Sequence, residues 1–196
     1  MALTLIKEDG TGRGNANTYV DVADGDAYFA GHLYASAWTT ATEATKAAAL
    51  VMATRLVDSQ FQFCGFRAHS DQALQWPRTE CPDPDRGLVT VSPLQPYLST
   101  FVPYDQVPRA VIHATCEMAR ELIVADRTAA PAGEGISSTQ TSVSTHTDVS
   151  GSSSMTSTSY DKGDTRPVIS RVAQAMLAKY GALIQGGRGS VRLVRA

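Results

Sequence analysis

One stretch of this chain cannot build a core of its own. Of the 23 residues from 137 to 159, 16 are Ser or Thr, and only Val143, Val149 and Met155 carry aliphatic or thioether side chains. So little apolar surface does not offset the entropy of ordering the segment, so a core must come from the sequence on either side. Within the stretch, Val143, Thr145, Thr147 and Val149 alternate with Ser142, Ser144, His146 and Asp148. After Ser150-Gly151-Ser152 the run from Met155 to Tyr160 is again extended in character. The alternation predicts a β-hairpin over 137–160, against the plainer reading of a flexible insert.

The flanking sequence has helical periods. Asp21 is a candidate N-cap, and Ala23, Ala27, Phe29, Ala30 and Leu33 give a short stripe, which predicts a helix over about 22–34. Thr40-Ala41-Thr42-Glu43 has the form of a capping box, and Ala47, Leu50, Val51, Thr54, Val57 and Phe61 follow at spacings of three and four, which predicts a helix over about 41–61. A third begins near Pro108, with Val111, Ala114, Met118, Leu122 and Ala125 in one stripe, and Pro167 opens a last one over 167–185 that stops at Gly186-Gly187. Between 63 and 107 the period disappears among prolines, and the aromatics Phe63, Phe66, Trp76, Tyr97 and Phe101 are expected to pack this connection over the helices. The expected fold is mainly α: a single domain over 1–196. Its parts are an N-terminal arm and loop (1–21), a helical-bundle core (22–126), the Ser/Thr-rich hairpin (137–160), the last helix and an extended C-terminal arm (186–196).

Composition narrows the function. The 196 residues carry 17 Lys and Arg against 19 Asp and Glu, a formal charge of -2, so the chain as a whole lacks the basic surplus with which proteins wrap nucleic acid. Cys64, Cys81 and Cys116 are widely spaced and form no CxxC pair, which speaks against a disulfide framework or a zinc site and for a reducing compartment. The N-terminus has no secretory pattern and no apolar run reaches the roughly 18 residues of a membrane span.

Searches for chemistry lead to plain readings. His113, Cys116 and Glu117 share a helix face but no second cluster completes a metal site. Gly10-Thr11-Gly12-Arg13-Gly14 lacks the lysine and the hydroxyl residue of a phosphate loop. No serine sits in a nucleophile elbow, and the carboxylate pairs Asp24/Asp26 and Asp83/Asp85 belong to a helix start and a proline loop. We expect no catalytic residue, no metal, no cofactor and no enzyme activity.

The remaining signals concern partners. The hairpin offers strand edges, marked by Val143, Thr145, Thr147, Val149, Met155 and Tyr160, for a neighbouring subunit or a channel. The C-terminal arm combines Arg188, Arg192 and Arg195 with Val191, Leu193 and Val194, the composition of a strand added to a partner. Trp76-Pro77-Arg78 reads as a structural anchor, with Trp76 buried and Arg78 paired to a carboxylate, in preference to an aromatic and cationic platform for bases.

Five motifs, in this order, resemble a known family: Asp9-Gly10-Thr11-Gly12, Asn15-Ala16-Asn17-Thr18-Tyr19-Val20, Ala27-Tyr28-Phe29, Ala53-Thr54-Arg55-Leu56-Val57-Asp58 and Gln75-Trp76-Pro77-Arg78-Thr79. The family is that of the head-to-tail adaptor proteins of tailed bacteriophages, whose members are often labelled DnaT-like single-stranded DNA-binding proteins. The resemblance covers residues 1 to about 126 and continues through the last helix and basic tail. It implies a ring of copies, usually a dodecamer, beneath the portal protein of the capsid, extending the channel through which double-stranded DNA passes without sequence specificity. It further implies a C-terminal arm reaching the portal, a tail, stopper or terminator protein below, no membrane partner, and a place in the neck of the virion after synthesis in the host cytoplasm. The alternative is a replication accessory that binds single-stranded DNA.

Overall fold

The computed structural model describes residues 3–85, 101–129, 138–147, 150–159 and 168–184. They divide into two compact units, one of Met1–Arg127 with Ile169–Ala196 and one of Thr128–Val168.

The first unit is built on two long helices. Thr42 caps α3 (Glu43–Gln60), its hydroxyl accepting from the Thr45 amide, so the cap lies two residues beyond the start expected at Thr40. Every third or fourth residue of α3 turns inward, with Leu50, Ala53 and Val57 wholly or almost wholly buried. They meet Val111, Ala114 and Met118 of α4 (Arg109–Val124), which packs between α3 and α5 (Arg171–Leu177). Each of these Leu, Val and Met side chains removed from water contributes about 1.5–3 kcal/mol. Ser170 caps α5 through the Ala173 amide, and Ile169 and Leu177 close the core from that side.

Shorter elements fill the edges. Asp21 caps α1 (Val22–Ala30) by accepting from the Asp24 amide, as its sequence position predicts. The expected helix to residue 34 ends four residues early, and a one-turn helix α2 (Ser36–Thr39) follows to insert Trp38 into the core. Gly25 leaves the space for it: a β-carbon there would lie 2.6 Å from the Trp38 ring. The indole N–H donates to Asp26 Oδ1 at 2.7 Å, and the Lys46 ammonium sits 5.3 Å from the ring centroid.

The expectation of a mainly α bundle with extended arms is corrected by what lies between the helices. Outside the hairpin, helix accounts for 42 % of the described residues, and strands pair in two two-stranded antiparallel sheets. β1 (Phe61–Phe63) pairs with β6 (Gly181–Leu183), and β2 (Phe66–Arg67) with β3 (Arg78–Thr79). The last helix therefore ends at Leu177 instead of 185, because the chain turns at Tyr180 and lays 181–183 along β1. Alternating burial in Phe61-Gln62-Phe63, a period of two appended to a helix, is the local sign of this strand.

The N-terminal segment is no free arm either. Lys7 bridges Thr18 in parallel fashion, Asn17 Oδ1 accepts from the Ile6 amide, and Tyr19 and Val20 are fully buried. Of the aromatics expected to pack the connection, Phe63 and Trp76 are buried, whereas Phe66 is 66 % and Phe101 45 % exposed; Tyr97 lies outside the described residues.

The second unit is the hairpin. β4 (Ser138–Thr147) and β5 (Ser150–Ser159) run antiparallel over ten residues each, with Val143 opposite Ser154, Thr145 opposite Ser152, Thr147 opposite Ser150 and Met155 opposite Ser142. Val149 and Tyr160, and all of 185–196 with Arg188, Val191, Arg192, Leu193, Val194 and Arg195, lie outside the described residues.

Candidate functional site

The quoted sequence motifs converge in space. Tyr19, from the segment after the glycine-rich loop, donates its hydroxyl to Asp58 Oδ1 of α3 at 2.6 Å, and the Tyr19 phenol oxygen in turn accepts from the backbone amides of Gln75 and Trp76, both at 3.1 Å. Asp58 Oδ2 also accepts from the Gln75 amide at 3.0 Å. Three separated stretches of sequence are thus tied through one phenol and one carboxylate. Burial pushes the Asp58 carboxyl up to about 6, against the Tyr19 and Gln75 donors that favour its anion. Burial and the Asp58 charge together raise the Tyr19 phenol well above its ordinary value.

Trp76-Pro77-Arg78 sits at the next step of the chain. The Trp76–Pro77 peptide bond is cis. Trp76 is fully buried, edge-on to Phe63 at 5.6 Å and to Tyr180 at 5.9 Å. Arg78 uses its fork on main-chain carbonyls instead of the carboxylate expected from sequence: Nε donates to Cys64 O at 2.7 Å, Nη2 to Gly65 O at 2.6 Å and Phe63 O at 3.3 Å, and Nη1 to Gln75 O at 3.1 Å. Gln75 Oε1 takes a further bond from Nη1 at 3.0 Å. A guanidinium committed in this way, beneath a surface that leaves it 7 % exposed, has no donors to spare for phosphate. The side chains that sequence singles out as a possible base platform face inward.

The glycine-rich loop is likewise occupied by its own chain. Glu8 is 2 % exposed, and its carboxylate accepts from the amides of Gly10 and Gly12 at 2.9 Å each and of Arg13 at 2.8 Å. Those are the donors with which such a loop would cradle a phosphate, and a carboxylate of this chain already fills the nest.

On α4, Glu117, one of the three residues first considered as metal ligands, has partners of its own. It is almost fully buried and accepts from the Tyr28 hydroxyl at 2.8 Å and from Arg120 at 2.9 Å, while His32 Nε2 lies 3.2 Å away. The His113 ring lies against Tyr28 with centroids 4.8 Å apart and planes tilted by 41°, and Cys116 is buried with its thiol pushed up to about 12 by that burial. The arrangement joins α1 to α4. Among the described residues no group of three His, Cys, Asp or Glu side chains is placed to hold a metal ion.

Sequence reasoning missed Glu8, Tyr19 and Asp58 as interior polar groups, and Trp38 as a core residue. A buried carboxylate has no periodic signature; its sign here is the pair of glycines two and four residues on, whose amides close around it. No helix among the described residues is long and apolar enough to cross a membrane.

Comparison with known proteins gives one result. No curated protein and no solved structure matches the chain. Residues 3–196, nearly the whole length, match the model of one family, and the chain belongs to that family, described as "Putative DnaT-like ssDNA binding protein".

Proposed function

We propose that this chain works by binding DNA and catalyses no reaction. The observation that carries the reading is family membership over residues 3–196, under a description that names single-stranded DNA. With Trp76 and Arg78 committed to the interior, the contact falls to Arg188, Arg192 and Arg195, three cations with no acidic residue among them. Guanidinium groups that meet phosphates release counterions, so affinity of this kind falls with salt by about 0.7 logarithmic units per contact for single strands. The test is a labelled single-stranded oligonucleotide titrated at several salt concentrations. Replacing all three arginines by Ala is expected to flatten the slope by about two units; absence of binding by the unaltered chain at low salt overturns the reading.

A second reading is favoured by charge and by where the quoted motifs lie. Their meeting through Tyr19, Asp58 and Trp76 suits a building block held rigid from inside, and a charge of -2 suits a channel along which DNA slides without being gripped. In that reading copies form a ring under the portal of a tailed phage, with 188–195 docked on the portal, the hairpin toward a neighbour or the channel, and a tail or stopper protein on the other face. Its place is the neck of the virion. Counting this chain against the portal protein in purified particles decides it: a fixed ratio near one supports the adaptor, and absence from particles removes it.

A further inference from the structure

Cys64 and Cys81 take no part in either reading. β2 and β3 pair Phe66 with Thr79 and Arg67 with Arg78. The paired positions end there; the same register carried two residues further would set Gly65 against Glu80 and Cys64 against Cys81. Both chains bend in between, Gly65 with φ +71° and Glu80 with φ +56°, yet they stay in contact. A β-carbon built on Gly65 would lie 2.2 Å from the Thr79 carbonyl oxygen and 2.7 Å from the Cys81 amide nitrogen. From across the pair, Arg78 holds the carbonyls of Cys64 and Gly65. Directly opposed residues of an antiparallel pair have Cα atoms about 4.5–5.5 Å apart, inside the range of about 4.4–6.8 Å that a disulfide spans.

We infer that Cys64 and Cys81 form an oxidisable pair, a site of disulfide formation across the base of the loop that carries Trp76-Pro77-Arg78. Exposure assigns the order of events, since Cys64 is exposed and Cys81 is buried. The Cys64 thiolate attacks one sulfur of a low-molecular-weight disulfide, whose S–S bond breaks and releases one half as a thiolate. Cys81 then loses its proton, and its Sγ attacks Cys64 Sγ and displaces the second half. Two protein thiols are oxidised by two electrons, the small disulfide is reduced to two thiols, and the two protons end on them. Burial, with the neighbouring Cys64 adding to it, pushes the Cys81 thiol up to about 11, which makes the second step the slow one.

The full chain incubated with oxidised glutathione and followed by intact mass and peptide mapping tests this. A single glutathione adduct on Cys64 is expected first, converting to a species two hydrogens lighter than the reduced chain, with a Cys64–Cys81 linked peptide. Cys81→Ala should halt at the adduct, Cys64→Ser should abolish both products, and Cys116→Ser should behave as the unaltered chain. An adduct on Cys64 that never converts in the unaltered chain, or a link to Cys116, overturns the inference; both are read on the native sequence, whatever the variants' folding.

Discussion

The loop between β1 and β3 and the hairpin of 138–159 are both poor in helix, and their sequences supply opposite means of holding them. In the loop, side chains carry the structure: Trp76 fills a slot between Phe63 and Tyr180, and Arg78 and Tyr19 satisfy main-chain groups that no ladder reaches. In the hairpin, a ladder of ten paired positions is the organising feature of a sequence with almost no apolar residues. Main-chain pairing specifies that two strands meet, but side-chain burial fixes which residues must be there. Single substitutions should therefore be costly in the loop and mild in the hairpin.

The largest expected effect is that of Trp76→Ala, which empties a fully buried indole site and should cost about 3–5 kcal/mol in urea unfolding; a cost below about 1 kcal/mol would remove the distinction between the two regions. Arg78→Met keeps much of the volume but strands the carbonyls of Phe63, Cys64 and Gly65, and about 2–3 kcal/mol is expected by the same measurement.

The Asp58 carboxyl sharpens the comparison through pH. Its folded pKa of about 6 lies above the unfolded value near 3.9, so its contribution favours the folded state most below about pH 4 and is lost as pH rises through 6. Stability measured from pH 4 to 7 should fall by about 2 kcal/mol on this account, and Asp58→Asn should remove the fall. A rise over that range, absent in the Asn variant, would mean that the Tyr19 and Gln75 donors outweigh burial. Least is expected from the hairpin: replacing 137–160 by a short Gly-Ser linker should leave the unfolding of the first unit within about 0.5 kcal/mol.

These contrasts also explain what could be read from sequence. Asp21, the stripes of α3 and α4, and the alternation around Val143 are local signals with a fixed period or position, and each marks an element within a few residues. The short strands 61–63 and 181–183 are not local: their pairing joins residues 118 to 122 positions apart in the chain, and three residues are too few to show a period. The same holds for Tyr19, Asp58 and Trp76, whose meeting depends on the tertiary fold. Motif order alone marked those residues as belonging together, without saying that they face inward.

Trp76 and Arg78 serve the interior, so the proposed contact with DNA lies elsewhere. The most direct test is the emission of Trp76, isolated by Trp38→Phe, during a titration with single-stranded oligonucleotide whose anisotropy is followed in the same cuvette. The account predicts rising anisotropy with a blue-shifted, unquenched tryptophan. Quenching in step with binding would place a base against Trp76 and contradict it, and flat anisotropy at low salt would contradict the proposed binding of single-stranded DNA.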